Sequence, residues 1–294
     1  MIRKNQFFLL LLLPALSLLV LFILIPVGQS FYLSFHRVIS GLPQLGEAMV
    51  GFENYRDLFH DPVARHSLWT TVIFVGVTTF FELLIGLFLA LLMHRHFPGR
   101  GALRAAVLIP WAIPTVVAAQ MWRFLMNDAY GTVNYLLFGT ETASYVPWLA
   151  YPATALGAII LADIWKTASF AALLILAGLQ VIPPEINQAG LVDGAGSWQR
   201  FRHITWPLIR PAVMVALLFR TIDAFRVFDL AYVLTQGGPA DATNVLQLYG
   251  YKKMFVEGWM GYGSAISVCI FTMALFLAVV YVRAVGRRLL EARV

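Results

Sequence analysis

The segment "NQAGLVDGAGSWQRFRHITWPLIRP", residues 187–211, is polar, glycine-rich and basic within a chain that is otherwise mostly apolar. It follows Pro183 and Pro184, a pair suited to ending one helix and beginning the next. Residues 185–192 are predicted to form a short helix after these prolines. We therefore expect residues 180–207 to form a partly helical loop between two long apolar runs.

A turn and a second helix are predicted to follow within this loop. Asp193, Gly194 and Gly196 favour the turn, and Gly194 suits a backbone conformation that a Cβ would hinder. Ser197 is suited to capping the second helix. Apolar residues recur in that helix every three positions beside basic and polar ones, namely at Trp198, Phe201 and Ile204. The pattern predicts an amphipathic elbow, which either lies on the lipid surface or docks on a cytoplasmic protein.

The composition indicates that the solvent of this chain is a lipid bilayer. Sixty per cent of the residues are apolar, 12% are charged and the mean hydropathy is +0.76, which is more apolar than a soluble domain. The net charge is +6, but basic residues do not alternate with aromatic ones in a stripe, so no nucleic-acid partner is expected. Cys269 is the single cysteine and His94 and His96 lack a third ligand nearby, so no metal site is predicted.

Six runs are long enough to cross about 30 Å of hydrocarbon as helices. They lie at 7–35, 67–93, 103–126, 153–179, 208–235 and 262–285. The first run resembles a secretory signal, but its length and the lack of a clear cleavage site predict an uncleaved helix. The sequence thus predicts an all-α integral membrane protein with one transmembrane domain over residues 1–294.

The distribution of lysine and arginine predicts the orientation. With the N-terminus inside, twelve basic residues lie at the cytoplasmic ends and five lie in the outer loops. This is the bias expected of cytoplasmic loops. Both termini and loop 180–207 are therefore predicted to be cytoplasmic, and loops 36–66, 127–152 and 236–261 are predicted to be outside.

Charged residues inside the runs indicate contacts with a cavity or a partner, because an ionisable side chain in mid-bilayer costs at least about 2.5–3.5 kcal/mol. Four of them recur every three positions, a spacing that allows neighbours to pair along one helix. They are Arg220, Asp223, Arg226 and Asp229. We expect either a structural ladder, contacts with a companion subunit, or the lining of a pathway. Glu82 stands alone in its run and is expected to reach another helix.

The loop also resembles a known signature. Permeases of binding-protein-dependent ABC importers carry the pattern E-A-A, three residues, G, nine residues, I-x-L-P. Matching residues stand at every spacing, with Gln in place of Glu, Gly in place of the second Ala and Trp in place of Leu; they are Gln188, Ala189, Gly190, Gly194, Ile204, Trp206 and Pro207. The missing glutamate removes a carboxylate that would face the ATPase, although a glutamine still hydrogen-bonds.

Two further motifs, "LIPWAIP" at 108–114 and "LTQGGPADATNVL" at 234–246, resemble the maltose-type carbohydrate permeases, specifically the first of their two permease subunits. The resemblance implies a type I ABC importer permease fold in a bacterial or archaeal cytoplasmic membrane. It implies three partners: a second homologous permease in a heterodimer, an ABC ATPase dimer, and an extracytoplasmic sugar-binding protein. ATP and Mg are then bound by the ATPase, and this chain lacks a G-x-x-x-x-G-K-[ST] phosphate loop.

The resemblance also implies which residues act. Coupling to the ATPase falls on Gln188, Ala189, Gly190, Asp193, Gly194, Ala195, Trp198 and Phe201. The solute pathway falls on Asp163, Lys166, Thr167 and Phe170 of the fourth run and on Arg220, Asp223 and Ala224 of the fifth. The four residues of the fourth run are spaced to share one side of a helix. Alternatively, Asp163 and Lys166 pair with each other or with the charged residues of the Arg220 ladder and hold the helices together.

The expected function is that of a permease subunit without catalytic residues, which moves a sugar, such as the α-linked disaccharides trehalose or maltose, while a partner hydrolyses ATP. One alternative is an intramembrane glycosyl or lipid transferase that uses Asp163, Asp223 or Asp229 as acid or base. Another is an ion-coupled secondary transporter, which ordinarily needs repeats and more spans.

Overall fold

The computed structural model describes residues 4–41 and 47–291, and most of these residues are helical. Arg3 and Arg293, two of the basic residues predicted to be cytoplasmic, lie outside the described residues. The long helices and their continuations are α1 (Lys4–Leu19), α2 (Ile25–Ser34), α4 (Pro62–His94), α5 (Arg100–Ala112), α6 (Thr115–Leu125), α8 (Pro152–Gln180), α11 (Trp206–Phe225) and α14 (Met260–Glu291).

Shorter elements connect them. The short helices are α3 (Glu53–His60), α7 (Thr132–Phe138), α9 (Pro184–Val192), α10 (Ser197–Arg200), α12 (Asp229–Leu234) and α13 (Leu246–Tyr251), with a 3-10 turn at Thr142–Ser144. π-helical turns lie at Val20–Leu24, Phe201–Thr205 and Lys252–Val256. Strands β1 (His36–Arg37) and β2 (Ala48–Met49) pair antiparallel, with His36 opposite Met49.

Four helical segments of the described chain are long and apolar enough to cross a membrane unbroken. They are Leu11–Ser34, Pro62–His94, Pro152–Gln180 and Met260–Arg283. These segments agree with the predicted runs 7–35, 67–93, 153–179 and 262–285. The apolar length of a run was therefore sufficient to find these four helices.

The prediction of a continuous helix over 103–126 was wrong. Helices α5 and α6 meet at an angle of 93°. Ile113 is extended with ψ 131°, because the ring of the following Pro114 disfavours the helical conformation in the residue before it. The run is a bent pair, and Trp111 lies beside the bend.

The prediction of a continuous helix over 208–235 was also wrong. Helix α11 ends at Phe225, where the amides of Arg226 and Val227 bond to carbonyls only three residues back and tighten the last turn. Helix α12 begins at Asp229. Arg226 and Asp229 therefore do not share a helix with Arg220, and the predicted four-residue ladder is reduced to the pair Arg220–Asp223.

Cα packing divides the chain into two compact units. The first contains the described residues up to Arg65 together with residues 249–272. Asp61 links several of its helices. Its Oδ1 accepts the amide of Val63 at 2.8 Å, and its Oδ2 accepts the hydroxyls of Tyr249 and Tyr262. Burial raises the pKa of Asp61, but these hydrogen bonds outweigh burial and leave the pKa below its usual value.

The second unit contains residues 66–248 and the described residues from 273 to 291. Its helices approach closely through small residues. A Cβ added to Gly86 of α4 would lie 2.9 Å from Ala171 Cβ of α8, and one added to Gly178 of α8 would lie 2.3 Å from Ala212 Cβ of α11. Small residues let helix backbones approach within a membrane. These contacts set α4, α8 and α11 side by side. The assignment of residues 1–294 to one transmembrane domain remains a prediction.

Candidate functional site

A cavity of about 430 Å³ lies in the second unit between the α5–α6 bend, α8, α11 and α12. All seven residues that the sequence assigned to a solute pathway line it. They are Asp163, Lys166, Thr167 and Phe170 of α8, and Arg220, Asp223 and Ala224 of α11. The structure thus brings the two predicted groups together on one cavity.

One wall of the cavity is aromatic. The rings of Trp111 and Phe170 stack with centroids 5.8 Å apart and planes inclined by 21°. Phe219 meets Phe170 edge-on at 6.5 Å. The faces of such rings suit the apolar face of a planar or cyclic solute.

A second wall of the cavity is charged and centres on Arg220, which is only 2% exposed. Its Nε donates to Glu82 Oε2 at 2.6 Å, and its Nη2 donates to Glu82 Oε1 at 2.9 Å. Nη2 also lies 3.3 Å from Asp163 Oδ2, and Nη1 donates to Asp223 Oδ2 at 2.6 Å. A two-point guanidinium–carboxylate contact is strong and directional. This cation therefore joins α4, α8 and α11, and the expectation that Glu82 reaches another helix is confirmed.

Two of the predicted pathway residues, Lys166 and Thr167, use their hydrogen-bond donors on protein atoms. Lys166 Nζ donates to the carbonyl of Trp111 at 3.3 Å. The Thr167 hydroxyl lies 2.5 Å from Glu82 Oε1 and 2.6 Å from the Asp163 carbonyl oxygen. Of the structural pairings considered from the sequence, the one formed joins Asp163 to Arg220. The most exposed carboxylate of the network is Asp223, whose side chain is 72% exposed.

Some lining residues were missed by the sequence reasoning. They are Trp111, Thr115, Phe219, Val227, Phe228 and Leu230. Arg226 and Asp229 also line the cavity, and the lining of a pathway was one of the expectations stated for them. A signal existed for Trp111, since it lies in "LIPWAIP" between Pro110 and Pro114, and proline can bend or end a helix. Residues 226–230 line the cavity because α11 ends early, and spacing alone gave no sign of that.

The elbow of residues 180–207 forms as two helices, α9 and α10, joined by a turn at Gly194. Gly194 has a φ of +76°, the left-handed conformation that glycine adopts without strain. The predicted cap at Ser197 was wrong, since Ser197 is the first helical residue and Gly196 precedes the helix. Gln199 Oε1 accepts the amide of Gly196 at 2.9 Å, which satisfies a donor at the helix start without a serine.

The elbow presents an aromatic surface on a braced backbone. Trp198 is 68% exposed and stacks on Phe201 at 5.6 Å. Arg200 Nη1 donates to the Ala195 carbonyl at 2.7 Å, and a Cβ on the buried Gly190 would lie 2.9 Å from Ile204 Cδ1. The remaining predicted coupling residues, Gln188, Ala189 and Asp193, are exposed.

The chain has membrane-length helices, a polar and aromatic cavity in its second unit, and an exposed helical elbow. Together these features define a multi-pass membrane transport component. The chain belongs to the family of binding-protein-dependent transport system inner membrane components, which it matches over residues 82–291. Membership excludes the alternatives of an intramembrane transferase and an ion-coupled secondary transporter. The chain is a transport subunit and not an enzyme.

Named relatives resemble nearly the whole chain. The trehalose/maltose transport system permease protein MalF of Thermococcus litoralis is 42% identical over 285 residues, covering 97% of this chain and 95% of the relative. The sulfoquinovosyl glycerol transport system permease protein SmoG of Agrobacterium fabrum is 42% identical over 278 residues, covering 93% and 88%. The trehalose transport system permease protein SugA of Mycobacterium tuberculosis is 38% identical over 277 residues, covering 93% and 86%.

Solved structures agree on the fold. A bacterial ABC transporter involved in the import of the acidic polysaccharide alginate contains a chain with a TM-score of 0.84 and 23% identity, with 97% of each chain covered. A chain of the MetNI methionine ABC transporter reaches a TM-score of 0.54 at 18% identity, covering 75% of this chain and 94% of that one. The protein therefore has the type I permease fold of ABC importers.

Proposed function

We propose that this chain is a permease subunit that gives a sugar, specifically an α-linked disaccharide such as trehalose or maltose, its path across a bacterial or archaeal cytoplasmic membrane. Two of the relatives above are named for trehalose or trehalose and maltose. A third is named for sulfoquinovosyl glycerol at the same 42% identity as the first, so identity alone does not choose the sugar. The chemistry of the cavity is the further support.

The observation that carries the proposal is the stacked pair Trp111–Phe170 beside carboxylate oxygens in one cavity. A sugar ring has apolar faces that pack on aromatic rings and hydroxyls that donate to carboxylates. Phe170 and Trp111 supply the first kind of surface. Asp223, the exposed carboxylate, and Asp163 supply the second. Lys166 and Thr167 contribute mainly by holding the wall in shape, because their donors bond to protein atoms.

The proposal includes three partners. A second homologous permease completes a heterodimer, an ABC ATPase dimer binds ATP and Mg and docks on the elbow, and an extracytoplasmic binding protein delivers the sugar. The support is the match to a family described as binding-protein-dependent, together with the importer signature that lies in an exposed elbow. The elbow is then cytoplasmic, as are both termini.

The elbow and the cavity are mechanically connected along the chain. Helix α10, the π-helical turn Phe201–Thr205 and α11 follow one another without a break, so residues 197–225 form one helical segment. Its first residues belong to the elbow and its last turns line the cavity. A shift of the elbow on closure of the ATPase dimer would therefore move Arg220 and Asp223 as part of a rigid body.

The proposal is tested by uptake of radiolabelled trehalose and maltose into proteoliposomes that contain the chain with its three partners. Phe170→Leu removes one ring of the stacked pair, which is worth about 1 kcal/mol, and is expected to lower uptake about fivefold. Phe80→Leu changes an exposed ring of α4 away from the cavity and serves as the matched control. Normal uptake by Phe170→Leu would contradict the assigned wall, and uptake of neither sugar by the wild type would contradict the proposed substrate.

A further inference from the structure

Glu82 lies one side chain behind the cavity wall. It is fully buried at 0% exposure, and it contacts the lining residues Arg220 and Thr167. Both of its carboxylate oxygens accept from the Arg220 guanidinium. A buried carboxylate so placed changes the charge of the wall without meeting a solute.

The lining contains equal numbers of acidic and basic side chains: Asp163, Asp223 and Asp229 against Lys166, Arg220 and Arg226. Glu82 adds a carboxylate behind them. The wall therefore has one more negative than positive group, although the lining alone is balanced.

The charges also differ in how accessible they are to a solute. The side chain of Asp223 is 72% exposed, and Asp229 is exposed as well. Arg220 is 2% exposed and Lys166 is 8% exposed, and both donate to protein atoms. Arg226 is the exposed cation of the lining. A solute in the cavity thus meets mainly carboxylate.

We propose that the Glu82–Arg220 pair sets the charge selectivity of this wall, so that the cavity accepts uncharged sugars and disfavours anionic ones. Glu82 is a positioning residue that acts through Arg220, because it occupies the donors with which a guanidinium would otherwise bind a carboxylate or sulfonate. The inference rests on the proposed sugar function and narrows it to a class of substrate.

The physical reason is electrostatic. An anionic sugar against this wall would lie near Asp223 in a cavity where charges are screened less than in bulk water. A neutral sugar instead donates hydroxyl hydrogen bonds to the same oxygens. Removing the charge of Glu82 frees part of the Arg220 guanidinium, and removing the charge of Asp223 takes away the exposed repulsive group. Both changes are expected to admit anionic sugars.

The test measures binding of the sugars by the transporter itself. The binding protein is left out, because it would select among the sugars before they reach the cavity. The assembled transporter in nanodiscs, without binding protein, is equilibrated with radiolabelled trehalose or with trehalose oxidised to a carboxylate at one C6. We expect the wild type to bind trehalose at least tenfold more tightly. Glu82→Gln and Asp223→Asn are expected to lower the ratio of the two affinities, trehalose over its carboxylate form, at least threefold. Glu82→Asp keeps the charge and is expected to keep the wild-type ratio.

Asp128→Asn removes the same charge from an exposed loop residue outside the cavity lining and is the matched control. The inference is overturned if wild-type protein binds both sugars equally, or if an assembled Glu82→Gln or Asp223→Asn leaves the ratio at that of Asp128→Asn. Asp223 is exposed and its carboxylate also accepts from Arg220, so Asp223→Asn keeps the inference falsifiable where Glu82→Gln fails to assemble. Binding of neither sugar by any variant would overturn the proposed sugar function itself.

Discussion

At the scale of the residue, Arg220 shows how a membrane protein keeps a charge in its interior. The side chain is 2% exposed and its guanidinium contacts Glu82, Asp163 and Asp223. A buried ion is tolerated when its charge is matched and its donors are satisfied. The loss of stability is therefore expected to be largest when only one member of the Glu82–Arg220 pair is removed.

We predict that Arg220→Met destabilises the assembled transporter by about 3–5 kcal/mol, because Glu82 is left as a buried carboxylate without its cation. The double variant Glu82→Leu with Arg220→Met removes both members of the pair and is expected to recover part of that loss, since the buried Asp163 still lacks this cation. The measurement is the thermal unfolding midpoint of the detergent-solubilised complex. A single variant as stable as the wild type would contradict the structural importance of the pair.

About half of the residues that line this cavity were assigned to it from the sequence, and the long-range hydrogen bonds among them were not. Helical spacing and the resemblance to permeases selected residues on two runs that do line one cavity. Spacing rules relate positions three or four apart, and they predicted the contact of Arg220 with Asp223. The contact of Arg220 with Glu82 joins positions 138 residues apart. It depends on how α4 packs on α8 and α11, which no local pattern encodes.

At the scale of the element, the packing of α4 on α8 depends on glycine. A Cβ at Gly86 would lie 2.9 Å from Ala171 Cβ and 3.0 Å from the Ala172 backbone nitrogen. Neither neighbour is a flexible side-chain end, so the helices would have to separate. This interface holds Glu82, one turn earlier on α4, against Thr167.

Gly86→Ala is predicted to lower stability by about 1–3 kcal/mol through overpacking. Gly76→Ala, on the same helix, adds its Cβ where nothing lies within 4 Å, and it is expected to be neutral or to stabilise by up to about 1 kcal/mol. Thermal unfolding of the purified complex compares the two. Equal midpoints would show that the close approach of α4 and α8 is not required.

The turn of the elbow offers a second matched comparison. Gly194 has a φ of +76° and Gly196 a φ of −64°, and neither has close neighbours that exclude a Cβ. Gly194→Ala is predicted to strain the turn by about 1–2 kcal/mol, whereas Gly196→Ala is tolerated. We expect Gly194→Ala to lower the sugar transported per ATP hydrolysed at least twofold. If Gly196→Ala has the same effect, the conformation of Gly194 is not the cause.

Elements were predicted well where hydrophobic length decides and poorly where the backbone breaks. Four long helices follow from apolar runs. The bend between α5 and α6 had a signal in Pro110 and Pro114, but proline also occurs inside helices, as Pro110 and Pro211 do here. The end of α11 at Phe225 has neither proline nor glycine beside it. There the tertiary structure, and not local propensity, ends the helix.

At the scale of the whole molecule, the distribution of basic residues predicts the orientation of the chain in the membrane. This prediction does not use the cavity. Basic residues concentrate at the chain ends and around the elbow, where Arg200, Arg202 and Arg210 lie. Cytoplasmic loops attract such residues. The importer signature requires the same side, because ATP is hydrolysed in the cytoplasm. Two separate sequence arguments thus predict that the elbow lies inside.

The last prediction tests that orientation with single cysteines in a variant in which Cys269 is replaced by Ser. The outer loop 127–152 contains Gly139, whose φ of +62° makes a substitution there strained, so the exposed Glu141 is the better position. We expect Glu141→Cys to react with a membrane-impermeant maleimide in intact cells. Ser197→Cys, exposed in the elbow, should react only after permeabilisation. Reaction of Ser197→Cys in intact cells would place the elbow outside, where it has no access to an ATPase, and would reject the coupling role together with the orientation.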